Sequence, residues 1–244
     1  MRALAGVTSA VMHVGRVGRL WRYPVKSMRG EECREVGLGA RGVEGDRLFA
    51  VQDAAGKLGS GKDTRRFRDV DGLLEFRARH AGDAPGIVFP DGREIRGDDP
   101  QVHRALSEAL GVPVTLARET QTPYFDDGAV HLVSTAALAW LRSKLPGSRI
   151  DERRFRPNIV VEAPGTGQVE QSWIGKTLRI GTQVRLRVTA PTERCRMTTL
   201  AQDDLPAEPK VLRCIAQEAD LQFGVYAEVV KPGRIAAGDA VVLE

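Results

Sequence analysis

Cysteine is scarce in this 244-residue chain: Cys33, Cys195 and Cys214 are an odd number at wide spacing. That excludes a disulfide framework and points to a reducing, cytoplasmic setting. Without a CxxC pair or a His–Cys cluster, the chain also lacks the ligand spacing of a zinc site. Aromatic residues make up 5% of the chain, too few for a platform on which nucleic-acid bases stack. No apolar run approaches the roughly 20 residues that span a bilayer, so no membrane association is expected. The opening stretch MRALAGVTSAVMHVGRVGRL is broken by Gly, His and Arg. It lacks the continuous apolar core of a signal peptide and reads as a short extension leading into a strand. Internal repeats and low-complexity tracts are missing as well.

What is present is ordinary globular composition, with 42% hydrophobic and 28% charged residues and a net charge of +4. This length buries one large core or two intimate ones. The arginines are dispersed, which suits a pocket for a small anion better than a nucleic-acid surface. Most segments read as short strands between Gly and Pro punctuation: VGRLWRYPV, RLFAVQD, TLRIGTQVRLRVTA, FGVYAEVV and AVVLE. In TLRIGTQVRLRVTA, Val184, Leu186 and Val188 alternate with Arg185 and Arg187. GIVFPDGREIRG reads as a hairpin with Asp91-Gly92 in a type I′ turn. Three helices are expected: Pro100–Leu110 after Asp98-Asp99, Thr135–Leu145 after Ser134 as N-cap, and Pro209–Ala219 with Leu212, Ile215 and Ala219 on one face. Cys214 falls in the third helix beside Ile215, a core position, and Cys33 in a strand; both read as inert. Many strands and few helices predict barrels, a mainly β fold, rather than a doubly wound sheet.

GKLGSGKD, Gly56 to Asp63, imitates a phosphate-binding loop, but Asp63 stands where Ser or Thr would bind magnesium, and no apolar-faced helix follows. It reads as a Gly-rich connection. The stretch PTERCRMTTL is different, because it sets Cys195 between Arg194 and Arg196. Fixed cations beside a thiol favour its ionised form, which is a nucleophile or a soft metal ligand; the bland alternative is a small half-buried residue beside surface arginines. Lys26 and Ser27 follow a strand in YPVKSMRG, and Arg47 stands at the mouth of a strand in GDRLF; each is either a solvated strand end or part of an anion site. Ser134 and Thr135 open a helix, where free N–H groups can seat a phosphate or Ser134 can serve as cap alone. In FRPNIVVE, Arg156 and Asn158 flank Pro157, and extended geometry points side chains two apart to one face, although Asn158 can also simply bond a turn. Together these groups suit an anionic, phosphate-bearing ligand with a soft metal at the thiolate.

YPVKS, GDRLF, HLVSTAAL, FRPNIVVE, RCRMTT and FGVYAEVV, in this order and at these spacings, resemble the MOSC family of molybdenum-cofactor proteins, which includes the amidoxime-reducing components. The resemblance covers nearly the whole chain after about residue 12. It implies an N-terminal MOSC β-barrel domain, residues 12–120, packed on a MOSC domain, residues 121–244. It implies a molybdenum cofactor (Mo-molybdopterin) with Cys195 as the protein's thiolate ligand to molybdenum and the catalytic residue. Lys26, Ser27 and Arg47 would contact the cofactor, Ser134 and Thr135 its phosphate end, Arg156 and Asn158 its pterin or phosphate. Arg194 would flank the metal ligand, and Tyr226 would line the pocket. The implied activity is a molybdenum-dependent reductase of small N-hydroxylated substrates such as amidoximes, hydroxylamines and N-hydroxylated bases. A separate electron-donor protein of ferredoxin, flavodoxin or cytochrome type, with its reductase, would supply the electrons. Arg194 and Arg196 would make the anionic site tolerable. A sulfur carrier working through a Cys195 persulfide, or a non-catalytic cofactor-binding protein, are the alternatives. Glu193 stands where some family members carry a hydroxyl residue, and it is expected to point outward. No cysteine cluster is available for the iron–sulfur domain that some bacterial relatives carry.

Overall fold

Alternation dictates the long central hairpin. Val184, Leu186 and Val188 of strand Val184–Glu193 are fully buried while Arg185 and Arg187 face outward, and Leu178 and Ile180 of the partner strand Thr177–Ile180 turn the same way. The computed structural model describes residues 12–244; the extension expected before Met12 lies outside the described residues. From the hairpin the sheet continues through Gln222–Lys231, Val130–Ser134 and Ile159–Glu162 on one side, and through Ala240–Leu243 and Met12–Arg22 on the other. Pairing of Met12–Arg22 with Ile159–Glu162 closes a seven-strand barrel, which leaves no open edge in the ring. The first described strand thus completes a barrel whose other strands all lie beyond residue 129. Gly15 permits the close approach: a Cβ there would sit 2.3 Å from the Glu162 carbonyl oxygen. Val17, Leu20, Leu132, Ile159, Leu186 and Val225 fill the interior.

A second core, around Val25, Met28, Phe76, Ile87 and Leu106, belongs to the N-terminal part. One small sheet there orders Thr115–Arg118, Phe49–Gln52, Leu58–Ser60 and Phe67–Asp69; another orders Glu94–Arg96, Ala84–Val88 and Arg77–Ala81. A third sheet pairs Gly233–Ala236 with Glu35–Gly39 and Gly42–Val43, stitching the C-terminal segment to the N-terminal one. Among the described residues the fold is mainly β with three α-helices. The Gly-rich segment mistaken most easily for a phosphate loop is the strand Leu58–Ser60 and its connection to Phe67–Asp69, with no helix after it.

Helix α1 (Val102–Leu110) begins two residues later than the sequence suggests. The Asp99 carboxylate accepts from Gln101 N, and Val102 N donates to Asp99 O at 3.0 Å, so a turn precedes the first helical residue; Gly111, at φ 68°, ends the helix. Helix α2 (Thr135–Lys144) has the expected cap, Ser134 Oγ accepting from Ala137 N at 2.9 Å. Helix α3 (Pro209–Ala219) has the expected bounds and buries Val211, Cys214 and Ile215 in one cluster with Phe155 and Phe223, with Ala219 packed partly against it; of the expected face, Leu212 alone stays outside that cluster. Cys214 is a core residue, and Cys33 is half-buried at the end of strand Glu31–Cys33. The Asp91-Gly92 hairpin exists, but only Gly92 has positive φ. Phe89 O accepts from Gly92 N, and Phe89 N donates to Arg93 O, so the loop is a type I turn through Pro90-Asp91 with glycine at the left-handed position, not type I′.

Leu132 is fully buried at the barrel centre. Leu132→Ala should lower unfolding free energy by about 2–5 kcal/mol, because the closed ring cannot collapse onto the space left; urea denaturation measures it, and a loss under ~1 kcal/mol would contradict this account of the core.

Candidate functional site

Where the barrel meets the N-terminal sheets, a cavity of about 650 Å³, counting its open mouth, is lined by Lys26, Ser27, Arg47, Arg156, Asn158, Arg194, Cys195 and Tyr226. Eight of the ten residues singled out from sequence therefore meet in one place. Ser134 and Thr135 do not line it. Ser134 is fully buried, donates to Glu170 Oε2 and caps α2, while Thr135 Oγ1 accepts from Ala163 N at 3.2 Å. The α2 N-terminus thus already has a carboxylate beside it, that of Glu170. Burial pushes the Glu170 carboxyl up, against the pull of the Ser134 hydroxyl.

Two of the four lining cations, and Ser27 beside them, are set by an unusual backbone geometry. Ser27, Arg47 and Arg156 are left-handed, with φ of 63°, 50° and 54°. Such non-glycine conformations are uphill by about 1–3 kcal/mol and persist where surrounding contacts enforce them. Arg156 is therefore not extended as its place before Pro157 suggested, although it and Asn158 both reach the cavity. Arg47 N donates to Tyr23 O at 2.7 Å, its guanidinium pairs with buried Asp46, and Nη2 donates to Arg156 O. Arg156 Nη1 donates to Met28 O at 2.7 Å. Tyr23 stands under both, with guanidinium carbons 4.8 Å (Arg47) and 4.3 Å (Arg156) from its ring centre. Ser27 Oγ donates to Gly59 O at 3.0 Å. Asn158 spends its amide on the fold: Oδ1 accepts from His131 N, and Nδ2 donates to Trp21 O.

Cys195 is a half-buried free thiol whose carbonyl accepts from Thr198 N and Thr198 Oγ1, fixing the turn Arg196–Thr199 behind it. Arg194 N donates to Leu221 O at 2.7 Å, and Arg194 Nη2 donates to Phe155 O at 2.8 Å. Arg196, expected to help Arg194 neutralise the site, points away and pairs with Asp69 and Asp71 at 2.6 and 3.1 Å. Its position one residue past the cysteine sends it across to the N-terminal sheet. Glu193 ends its strand exposed, at the mouth of the cavity.

The electrostatics are those of an anion site. Burial, then the neighbouring Arg47, lowers the Arg156 guanidinium to about 10. Burial also lowers Arg194. Burial brings the Lys26 ammonium down to about 8 against the pull of Asp126, which it meets at 2.8 Å. Burial opposes ionisation of Asp126, but Lys26 outweighs it and brings that carboxyl to about 2. Burial raises the Tyr226 hydroxyl to about 12 and pushes His131, which also lines the cavity, well below its ordinary value. His131, Asp126 and Ser60 went unnoticed in the sequence. HLVSTAAL places His131 two residues into a buried strand, and its alternation there with inward Leu132 was the available signal.

Among the lining side chains, the donors Arg156 Nη2 and Arg194 Nε are buried without a hydrogen-bond partner. A buried donor left unpaired costs about 1–3 kcal/mol, so the cavity is built to receive acceptor atoms. Among the described residues no cluster of three or more His, Cys, Asp and Glu is placed to hold a metal, so a metal at Cys195 would need its other ligands from a bound group. A pterin dithiolene with a phosphate tail has that donor set, and the residues fit it.

Lys26 supplies a pH test. Its folded value lies below that of an exposed lysine, so between about pH 8 and 10.5 the unfolded chain binds more protons and stability rises with pH. Lys26→Met should remove this rise: wild-type stability should climb relative to the variant through that window in denaturation curves. A difference that is flat or falling would show that Lys26 is not desolvated.

A family model described as the MOSC domain matches residues 99–242, and one described as the MOSC N-terminal beta barrel domain matches residues 14–68. Mitochondrial amidoxime-reducing component 1 of Mus musculus is 27% identical across 96% of this chain and 83% of its own length, and that of Homo sapiens is 26% identical across 96% and 84%. The molybdenum cofactor sulfurase of Oryza sativa subsp. japonica is 27% identical across 74% of this chain, which matches 28% of that protein. The crystal structure of the YUAD protein from Bacillus subtilis shares the fold, with a TM-score of 0.56 at 15% identity over 96% of this chain and 97% of that one. Among the described residues no helix is long and apolar enough to cross a membrane. With a barrel closed by the first described strand and the MOSC domain model matched over residues 99–242, the chain belongs to the MOSC domain family.

Proposed function

We propose that this protein is a molybdenum-cofactor-dependent oxidoreductase that reduces N-hydroxylated compounds, with electrons from a separate donor protein. The observation that carries the reading is the meeting of Cys195 with Lys26, Arg47, Arg156 and Arg194 in one cavity whose buried donors lack partners. Similarity to proteins named amidoxime-reducing components across most of both chains supports the substrate class. When bound, the cofactor supplies two-electron chemistry and an acceptor for the substrate oxygen. An amidoxime takes up two electrons and two protons, its N–O bond breaks, and amidine and water leave.

The chain's own residues prepare this. Cys195 Sγ would be the protein's ligand to the metal, held by the Thr198 contacts to its carbonyl. Arg156 Nη2 and Arg194 Nε would donate to the cofactor's acceptor atoms. Lys26 and Arg47 would balance its negative charge from the N-terminal side, while Asn158 ties the segment that carries Arg156 to the strands of His131 and Trp21. Tyr226 carries its proton near neutrality as any phenol does, and burial moves its loss further away, so its hydroxyl can donate to a substrate oxygen. Ser134 and Thr135, engaged at α2, leave the phosphate to the arginines.

A sulfur-carrying reading has one specific support, the similarity to a molybdenum cofactor sulfurase over 74% of this chain. The two separate on metal analysis of freshly purified protein. Stoichiometric molybdenum and pterin, with turnover of benzamidoxime by reduced viologen, is the expected outcome; sulfane sulfur on Cys195 without metal would replace it. Cys195→Ala should lose molybdenum and reduce activity by at least a hundredfold while keeping its melting curve, and unchanged metal content would remove the ligand assignment. Cys214→Ala should retain full metal content and activity; its loss without unfolding would show that the buried thiol is not a packing residue.

A further inference from the structure

Between Lys57 and Arg68 the chain carries Lys57, Lys62, Arg65, Arg66 and Arg68 against a single acid, Asp63. That net of +4 equals the net charge of the entire protein, so the remaining residues balance. Elsewhere the arginines are heavily paired: Arg16, Arg19, Arg22, Arg29, Arg41 and Arg77 all meet carboxylates. None of the five cations in this segment forms an ion pair among the described residues. Lys57 Nζ and Arg66 bond only carbonyl oxygens, of Thr64 and of Pro123, Phe125 and Asp126. Arg65 and Arg68 are exposed. Lys57, Arg65 and Arg66 line a shallow hollow with Thr120, Thr122 and Tyr124, and no acidic side chain faces it.

Place gives the patch its meaning. Ser60, within the segment, and Asp126, whose carbonyl Arg66 holds, both line the cavity with Cys195. The patch therefore borders the site without entering it. Cations inside the cavity already face its ligand, so a second, outward set has a different partner.

We propose that Lys57–Arg68 is the docking surface for an acidic electron-carrier protein, with Arg65 and Arg68 as its outer contacts and the hollow receiving a carboxylate side chain. The identity of the cargo rests on the function proposed above, since that reaction consumes two electrons. Unpaired like charges beside a redox site raise the association rate of an oppositely charged partner, at low salt by tenfold or more. Small N-hydroxylated substrates, neutral or cationic, gain nothing from such a field.

The test uses full-length protein with its cofactor and two acidic probes, a plant-type [2Fe–2S] ferredoxin and a flavodoxin. Dissociation constants are measured by calorimetry at about 20 and 200 mM salt, and benzamidoxime reduction is driven by each reduced carrier or by reduced viologen. For Arg65→Glu/Arg68→Glu we expect carrier affinity and carrier-driven kcat/KM at low salt to fall at least about tenfold, with viologen-driven turnover and the melting curve unchanged. Arg65→Ala/Arg68→Ala should fall between the two. Wild type should lose affinity with salt, and the reversal variant should not. Equal affinities in wild type and variant, no binding of either carrier at low salt, or tighter binding of an RNA oligonucleotide than of the carriers would each overturn the proposal. Failure of viologen-driven turnover with Arg65/Arg68-dependent carrier binding intact would instead remove the proposed reaction and leave the surface standing.

Discussion

Uncompensated positive charge in a half-closed cavity is the constraint from which the rest of this structure follows. Lys26, Arg47, Arg156 and Arg194 are drawn together from four separate stretches of chain, and only Arg47 and Lys26 meet a carboxylate, Asp46 and Asp126. Burying cations near one another is unfavourable unless something holds them. Here the holding is done by backbone carbonyls of Met28, Phe155 and Arg156, and by the Tyr23 and Phe155 rings. Carbonyls and ring faces orient a guanidinium without cancelling its charge, so the field remains available to a ligand.

The same demand explains where strain collects. Of the six non-glycine residues with positive φ among the described residues, Ser27, Arg47 and Arg156 line the cavity, and Asp203, Asp220 and Leu221 flank the segment that carries Cys195. Leu221 O receives the Arg194 amide directly. Asp203 reaches Arg29 and Arg77 of the N-terminal part, and Arg196 reaches Asp69 and Asp71. Each such partly exposed pair is worth only about 0–1 kcal/mol, but together they tether both ends of the thiol-bearing turn to the opposite body. The cavity is thus a seam between two bodies, and the turn bearing the thiol is fastened across it.

How much was legible follows from how local each signal is. Residues that punctuate strands, such as Lys26-Ser27 after YPV and Arg47 in GDRLF, stood out because polar groups at the ends of apolar runs are visible in one dimension. The Ser134 cap was readable for the same reason, but its service to Glu170, 36 residues away, was not. His131 and Asp126 escaped because one looks like an ordinary strand residue and the other like loop charge. The direction of Arg196 depended on Asp69 and Asp71, more than 120 residues earlier in the chain. The left-handed backbone of Arg156 runs against the extended preference of a residue before proline; only its tertiary contacts could impose it.

Sequence alone determined the period-2 strands, the bounds of α3, the buried place of Cys214 and the set of cations that a cavity would need, because each depends on side-chain chemistry and neighbours a few residues apart. Tertiary structure decided that Met12–Arg22 closes a barrel made from the far half of the chain, and that the α2 N-terminus faces Glu170 rather than the cavity. It also decided that Arg194 enters the site while Arg196 leaves it. Ring closure, the pairing of distant charges and the sharing of one cavity by two bodies are long-range events, and no local pattern of residues encodes which surfaces will meet.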